Sequence, residues 1–391
     1  MARQRRTYSG TGVVACALLG WALAPLTAGG QGPAVAIERE RLEKHVRTLA
    51  SPDFQGRRGE GARKAAAYVL DEFRSAGLRP LFGDSYIQEV PGPDGEGVRG
   101  RNLGVRLEGS DPKLREEWVI LAAHYDHLGV HEGQVYRGAD DNASGVAMLL
   151  EVARAMAKAP TPPRRSVMFV SFDLEEDGLV GSRFFVDHPP VPLEKVVLNL
   201  TADMIGRSLR GVCDTHVFVL GSESAPKTRE WVTAAAPIGP WRVSLLGSDL
   251  LVVPRSDYGP FKARKVPYLF FSTGEDPTYH TPADVPETID YPKLQAISQM
   301  IGGVTVQAAN ADQAPAWTEP YDHAPGEAAT MRDVFQRLLD NKDRLKIGVT
   351  QTVMLKSSIP RLDEMVERGG FNPQERKQML RVAQIILMSV P

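Results

Sequence analysis

Residues 167–188 read VMFVSFDLEEDGLVGSRFFVDH. The opening run, VMFVSF, is continuously apolar or small rather than alternating, which is how a strand buried on both faces reads. Acidic residues follow at once, and GLVGSRFFVDH (178–188) then takes up helical spacing. A doubly buried strand that feeds a helix is the repeating unit of a sheet covered by helices. Similar runs stand at WVILAA (118–123), VVLNL (196–200), HVFVL (216–220) and PYLFF (267–271), with helical stretches at 144–158, 225–235 and 292–310. The expected fold is α/β, with a mixed, largely parallel central sheet layered by helices on both faces.

Outward from this core, residues 36–78 predict helices interrupted by the turn-rich SPDFQGRRGEG, and 83–100 a strand and a loop. The stretch 312–328 is rich in Pro and polar residues and reads as a linker. Two helical patterns follow it, at 329–345 and 372–388, forming a C-terminal helical extension. The first thirty residues join a basic start, MARQRR, to the apolar run VVACALLGWALAPL (13–26) and small residues, the pattern of a secretory signal peptide. That run is shorter than the about 20 residues of a membrane-spanning helix. The expected division is a signal peptide at 1–30, a catalytic domain at 36–311 and a linker with extension at 312–391. The expected product is exported, periplasmic or extracellular, with no stable membrane span after cleavage. Cleavage leaves Cys213 alone, so no intrachain disulfide is expected. The net charge of -2 and the lack of a basic stripe argue against nucleic acid as a partner. Nothing in the sequence specifies an oligomeric state.

In α/β sheets, function gathers where strands end. His124 and Asp126 follow the strand at 118–123, Asp173, Glu175 and Glu176 the strand at 167–172, and Asp203 the strand at 196–200. His280 lies in the loop after 267–271. Taken singly these are weak signals: His-x-Asp is as readily a satisfied polar pair, paired glutamates usually lie on a wet helix face, and a loop histidine is usually a surface residue. Together with the adjacent carboxylates of GADDNASG (138–145), they form a set of imidazoles and carboxylates suited to zinc or a similar divalent ion. Five ligands exceed the needs of one catalytic zinc and suit two ions sharing a carboxylate. One aspartate of the pair can supply that bridge.

The ordered motifs HYDH, GADDNASG, DLEEDGLVGS, TADMIGR, SDYGPF and YHTPAD resemble those of two-zinc exopeptidases of the aminopeptidase S and aminopeptidase Y type, zinc metallopeptidases that are M28-like. The resemblance runs from about Leu42 to about Ala309, and LASPDFQGRRGEGARKAAAYV and GRNLGVRLEGSDP look like that family's N-terminal portion. It implies a secreted metallo-aminopeptidase with two zinc ions, other divalent ions being possible, acting on peptide or protein N-termini. Asp140 would be the bridging carboxylate, followed by a cis peptide. Glu176 and His280 would complete one metal site, and His124 and Asp203 the other. Glu175 would be the general base and Asp126 would support the metal ligands. Ser256, Asp257, Tyr258 and Phe261 would line the substrate pocket, with Tyr258 and Tyr279 as candidates for a tyrosine that supports the intermediate. The sequence departs from the family at Asp173, where a small or aromatic residue is expected, and at Thr201-Ala202 before Asp203. The alternatives are a carboxypeptidase, with Arg207 or Arg255 on the terminal carboxylate, and a glutaminyl cyclase. A non-catalytic binding protein is more remote, because such proteins lose ligands or the base. No GxSxG elbow supports serine hydrolase chemistry.

Overall fold

The computed structural model describes residues 35–389 except 238. The expected signal peptide lies outside the described residues. The chain runs through α1 (Arg39–Leu49), α2 (Glu60–Ser75), β1 (Arg79–Pro80), β2 (Ile87–Pro91), β3 (Val98–Leu107), β4 (Trp118–His124), the short strands β5 (Gly129–His131) and β6 (Gln134–Tyr136), and α3 (Gly145–Ala157). It continues through β7 (Ser166–Phe172), α4 (Val180–Asp187), β8 (Val196–Ala202), β9 (His216–Leu220), α5 (Thr228–Ala234), β10 (Arg242–Leu246), α6 (Tyr258–Ala263), β11 (Tyr268–Ser272) and α7 (Tyr291–Asn310). Three helices follow: α8 (Glu327–Asp340), α9 (Val349–Glu367) and α10 (Pro373–Ser389).

The large sheet has the order β1-β3-β7-β4-β8-β11-β9-β10, with β2 also paired to β3. Its centre, β7-β4-β8-β11, is parallel. The antiparallel pairings, β1 and β2 with β3, β3 with β7, and β9 with β11, make the whole sheet mixed. Every residue of β7 and β8 is buried, which is why those strands lack alternation. On one face, Val119, Leu121, Leu198 and Leu200 pack with α1, α2, α3, α5 and α7. On the other, Ile120, Met168 and Phe172 pack with Phe185 of α4 and Phe261 of α6.

Beyond β9, β10 and β11, that second face is covered by α8, α9 and α10 through residues such as Phe335, Leu362, Met379 and Ile386. The expected fold class therefore holds, with differences in detail. β3 and β10 form where no strand was expected, and α9 adds a third helix to the two expected after residue 328. Pro360 inside α9 breaks the helical signal locally, since proline removes an N–H from the helix ladder. The helix persists because Leu355, Ile359 and Leu362 bury one face. Among the described residues, no helix is long and apolar enough to cross a membrane.

Candidate metal centre

Four neighbouring parallel strands end on one edge of the sheet, so the residues that follow them meet. His124 closes β4 and is buried. Its Nε2 lies 3.3 Å from Asp203 Oδ1, just past β8, and 3.4 Å from Asp141 Oδ1. The other oxygen of Asp141, Oδ2, lies 3.1 Å from His280 Nε2, and that nitrogen is 3.2 Å from Glu176 Oε2 past β7. One carboxylate thus faces two histidines on opposite sides. Donor atoms of His124, Glu175 and Asp203 fall within 4.8 Å of one another, as do those of His127, Asp141 and Glu176.

The carboxylate that faces both histidines is that of Asp141, one residue later than the bridge expected. Asp140 Oδ1 accepts the Gly206 N–H at 2.6 Å, which points its carboxylate away from His280 and toward the loop after β8. The reason lies in the irregular turn Ala139–Ser144, where both backbone N–H groups are pinned from one side. Asp284 accepts from the Asp140 N–H at 2.9 Å and from the Asp141 N–H at 3.1 Å. From the other side, Arg57 Nη2 donates to the carbonyls of Gly138 and Asp141 at 2.8 and 2.9 Å. The cis peptide follows Asp141, not Asp140. Asn142 then ties the turn to β8, donating to Ala202 O at 3.0 Å, while its Oδ1 accepts the Gly145 N–H at the start of α3.

Arg57 is fully buried and, among the described residues, pairs with no carboxylate. Its guanidinium donates to five backbone carbonyls, those of Leu49, Tyr125, Arg137, Gly138 and Asp141. Burial lowers its pKa, opposed first by the field of Asp141. Asp126 has a comparable organising part: its two oxygens accept the backbone N–H groups of Glu175 and Glu176 at 3.1 and 3.2 Å. Asp173, a departure in sequence, accepts the Arg101 N–H and the Tyr125 hydroxyl and so ties β7 to β3.

Crowded carboxylates in a dry pocket are costly unless positive charge compensates them. Burial pushes the Asp141 and Glu175 carboxyls up. Burial alone would lower the imidazole of His280, but Asp141 and Glu176 outweigh it and hold the ring at about 10. The ring nitrogen His280 Nε2 is buried and lacks an aligned hydrogen bond among the described residues, as does His127 Nε2. Imidazole nitrogens without hydrogen-bond partners, set among desolvated carboxylates, fit divalent ions of the zinc type.

His127 was not singled out from sequence, although it stands in HYDH. Its Nδ1 lies 2.7 Å from Glu176 Oε1, and burial pushes its pKa down to about 3, so the ring is neutral. Asp284, in YHTPAD, was also missed. Its signal was the acid that closes that motif, four residues after His280.

A cavity of about 610 Å³ opens on Asp141, Glu175 and Asp203, with Tyr279 in its wall. Four expected pocket residues do not line it: Ser256, Asp257, Tyr258 and Phe261 are all fully buried. α6 turns its apolar face into the core, where Tyr258 stacks on Tyr268 and Phe261 packs against Phe172 and Phe185. Asp257 lies in the field of the cage, and burial lifts its carboxyl to about 7. Tyr279 stacks on His280 with ring centroids 3.8 Å apart.

Comparison with known proteins fits this geometry. Residues 102–305, just over half of the chain, match the model of Peptidase family M28. Aminopeptidase YwaD of Bacillus subtilis (strain 168) is 30% identical over 204 residues, 50% of this chain and 42% of that protein. The matched segments cover less than half the length of the curated relatives. In fold, the chain resembles a Zn-dependent exopeptidase from Parabacteroides distasonis at a TM-score of 0.56 and 23% identity, over 70% of this chain and 99% of that one. It also resembles a glutaminyl cyclase from Porphyromonas gingivalis at 0.54 and 19%, over 69% and 98%. The matched segment carries His124, Asp141, Glu176, Asp203 and His280 together, and the chain belongs to peptidase family M28.

Proposed function

We propose that the protein is a zinc-dependent aminopeptidase that hydrolyses the first peptide bond of substrates with free amino termini, using two zinc ions. The observation that carries this reading is the two-sided Asp141 carboxylate, with a histidine and a further carboxylate on each side and Glu175 at the cavity. His124 and Asp203 would hold one ion and Glu176 and His280 the other, with Asp141 shared. When bound, the ions supply charge that polarises a peptide carbonyl and makes a water acidic enough to react near neutral pH. Glu175 takes the proton of the attacking water and delivers it to the nitrogen of the leaving amine as the C–N bond breaks. Asp126 fixes the backbone of Glu175 and Glu176, which keeps base and ligand in register. The Tyr279 hydroxyl is the candidate donor to the developing oxyanion.

Two observations favour this reading over its neighbours. Arg207, a candidate cation for the terminal carboxylate of a carboxypeptidase substrate, is held by Asp276 at 2.8 Å and does not line the cavity. The cyclase shares the fold, but donors complete on both sides of Asp141 support hydrolysis. Export through the leader expected at residues 1–30 belongs to the same proposal, and amino-terminal sequencing of the mature protein tests it.

The test of activity is a panel of aminoacyl-anilides, set against N-acetylated and carboxyl-terminal substrates with and without a chelator, alongside zinc content by elemental analysis. Chelator-sensitive cleavage confined to free amino termini is expected. Cleavage of acetylated substrates, or none by zinc-loaded protein, would overturn the reading.

A further inference from the structure

The cavity beside Glu175 is not closed by the family segment alone. Its inner wall comes from β9, β10 and β11, through Phe218, Leu220, Leu246 and Phe270. Its outer wall comes from α10, which lies beyond the matched residues and contributes Gln384, Leu387 and Met388. We propose that α10 is the substrate-selecting wall of the site, and that the cavity takes a large apolar side chain on the first residue of the substrate. This rests on the aminopeptidase reading above.

Three features carry the inference. First, the cavity is continuous with the catalytic groups, since Asp141, Glu175 and Asp203 are part of its lining. At about 610 Å³ it lies within the roughly 300–1,000 Å³ of small-molecule sites, more than an alanyl methyl can fill. Secondly, most of its lining is apolar, with Leu209, Phe218, Leu246, Leu250 and Phe270 around the catalytic end, while its charges beyond the catalytic carboxylates are confined to the rim. Arg255 Nη2 lies 2.9 Å and Arg210 Nη2 3.6 Å from oxygens of Glu275. A charged side chain seated against that apolar lining would lose water without compensation there, whereas an apolar one is favoured.

Thirdly, α10 is latched to the pocket loop. Arg376, near its start, forks onto Asp249 with two contacts of 2.7 Å and onto Glu327 of α8 at 2.5 and 2.9 Å. About two turns further along α10, Gln384 Nε2 donates to Asp249 O at 3.0 Å. Asp249 sits beside Leu250 and Leu251, which also line the cavity. The latch holds Leu387 in the wall, where it is half-buried. Val252, Val253 and Met388 at the mouth are 69%, 59% and 79% exposed. Such apolar exposure beside a catalytic cavity is accounted for if a substrate covers it.

The test compares kcat/KM for phenylalanyl-, leucyl- and alanyl-anilides in zinc-loaded full-length protein and in Leu387→Glu, Leu387→Met and Met388→Arg. The wild type should favour phenylalanyl and leucyl over alanyl substrate at least tenfold. Leu387→Glu should reduce that preference at least tenfold, and Leu387→Met should restore it. Met388→Arg lies at a largely exposed position, so it keeps the test valid should Leu387→Glu fail to fold, and it should reduce the preference as well. A readout independent of turnover uses Glu175→Gln: phenylalaninamide should slow hydrogen exchange in residues 373–389 more than alaninamide does. Cleavage without apolar preference, or a preference unmoved by the α10 substitutions, overturns the assignment of α10 and leaves the aminopeptidase standing. Absence of chelator-sensitive cleavage of any anilide by the wild type overturns both.

Discussion

Asp140 and Asp141 are neighbours in sequence with unlike surroundings, so substitution separates them. Asp141→Asn removes a charge that faces two imidazoles and is expected to lower zinc content, whereas Asp140→Asn, facing a backbone amide, is expected to retain it. Elemental analysis of the two purified variants decides, and equal content in both would refute the placement. Glu175→Gln is expected to fold and hold zinc while losing roughly 10²–10⁴-fold in kcat, and near-normal turnover would remove Glu175 as the base. The identity of most of the cage was legible from sequence, because His124, Glu176 and Asp203 each follow a strand closely enough for the strand end to aim them. The bridge was not. In a turn that is neither helix nor strand, no period tells which of two adjacent side chains points inward. That choice is made by Asp284 and Arg57, which lie far away in sequence. Tyr258 and Phe261 were misjudged for a related reason: a motif gives the order of residues, and α6 decides which face is buried.

At the level of elements, the join between α1, α2 and α3 is polar at its centre. Glu151 of α3 is fully buried and accepts from Arg41 at 2.8 Å, from Arg154 at 2.6 Å and from His45 at 3.2 Å. Burial opposes its ionised form, but hydrogen bonds from His45, Arg154 and Arg41 prevail and hold its carboxyl at about 2. A depressed carboxyl contributes stability that is full above the unfolded value near 4.5 and is lost as pH falls toward 2, here about 3 kcal/mol. Glu151→Gln should therefore lower stability by about 2–4 kcal/mol at pH 7 and flatten the loss between pH 4.5 and 2. Thermal melts across that range test it, and parallel curves for the two proteins would discount the network. The central strands and α3, α4 and α7 were readable from apolar runs and helical spacing. β3 and β10 were not, because VRGRNLGVRL and RVSLL mix charge with apolar residues as edge or near-edge strands do. α9 was hidden by Pro360.

For the molecule as a whole, the cage is a store of protons as well as a set of ligands. His280 is held at about 10 by Asp141 and Glu176, and the Asp141 and Glu175 carboxyls are raised by burial. Metal must displace those protons, so zinc binding should release at least one proton at pH 7 and weaken as pH falls. Titration calorimetry in buffers of differing ionisation enthalpy counts them, and uptake without release would contradict the pairing. The five carbonyls gathered by Arg57 have a further consequence. They belong to the end of α1, to the strand end that carries His124 and to the turn that carries Asp141, so a residue upstream of the family segment closes the cage. A protease nick between α1 and α2 should then liberate zinc before the sheet unravels. Metal leakage would serve as an early gauge of damage, sounding while the rest of the protein still looks whole.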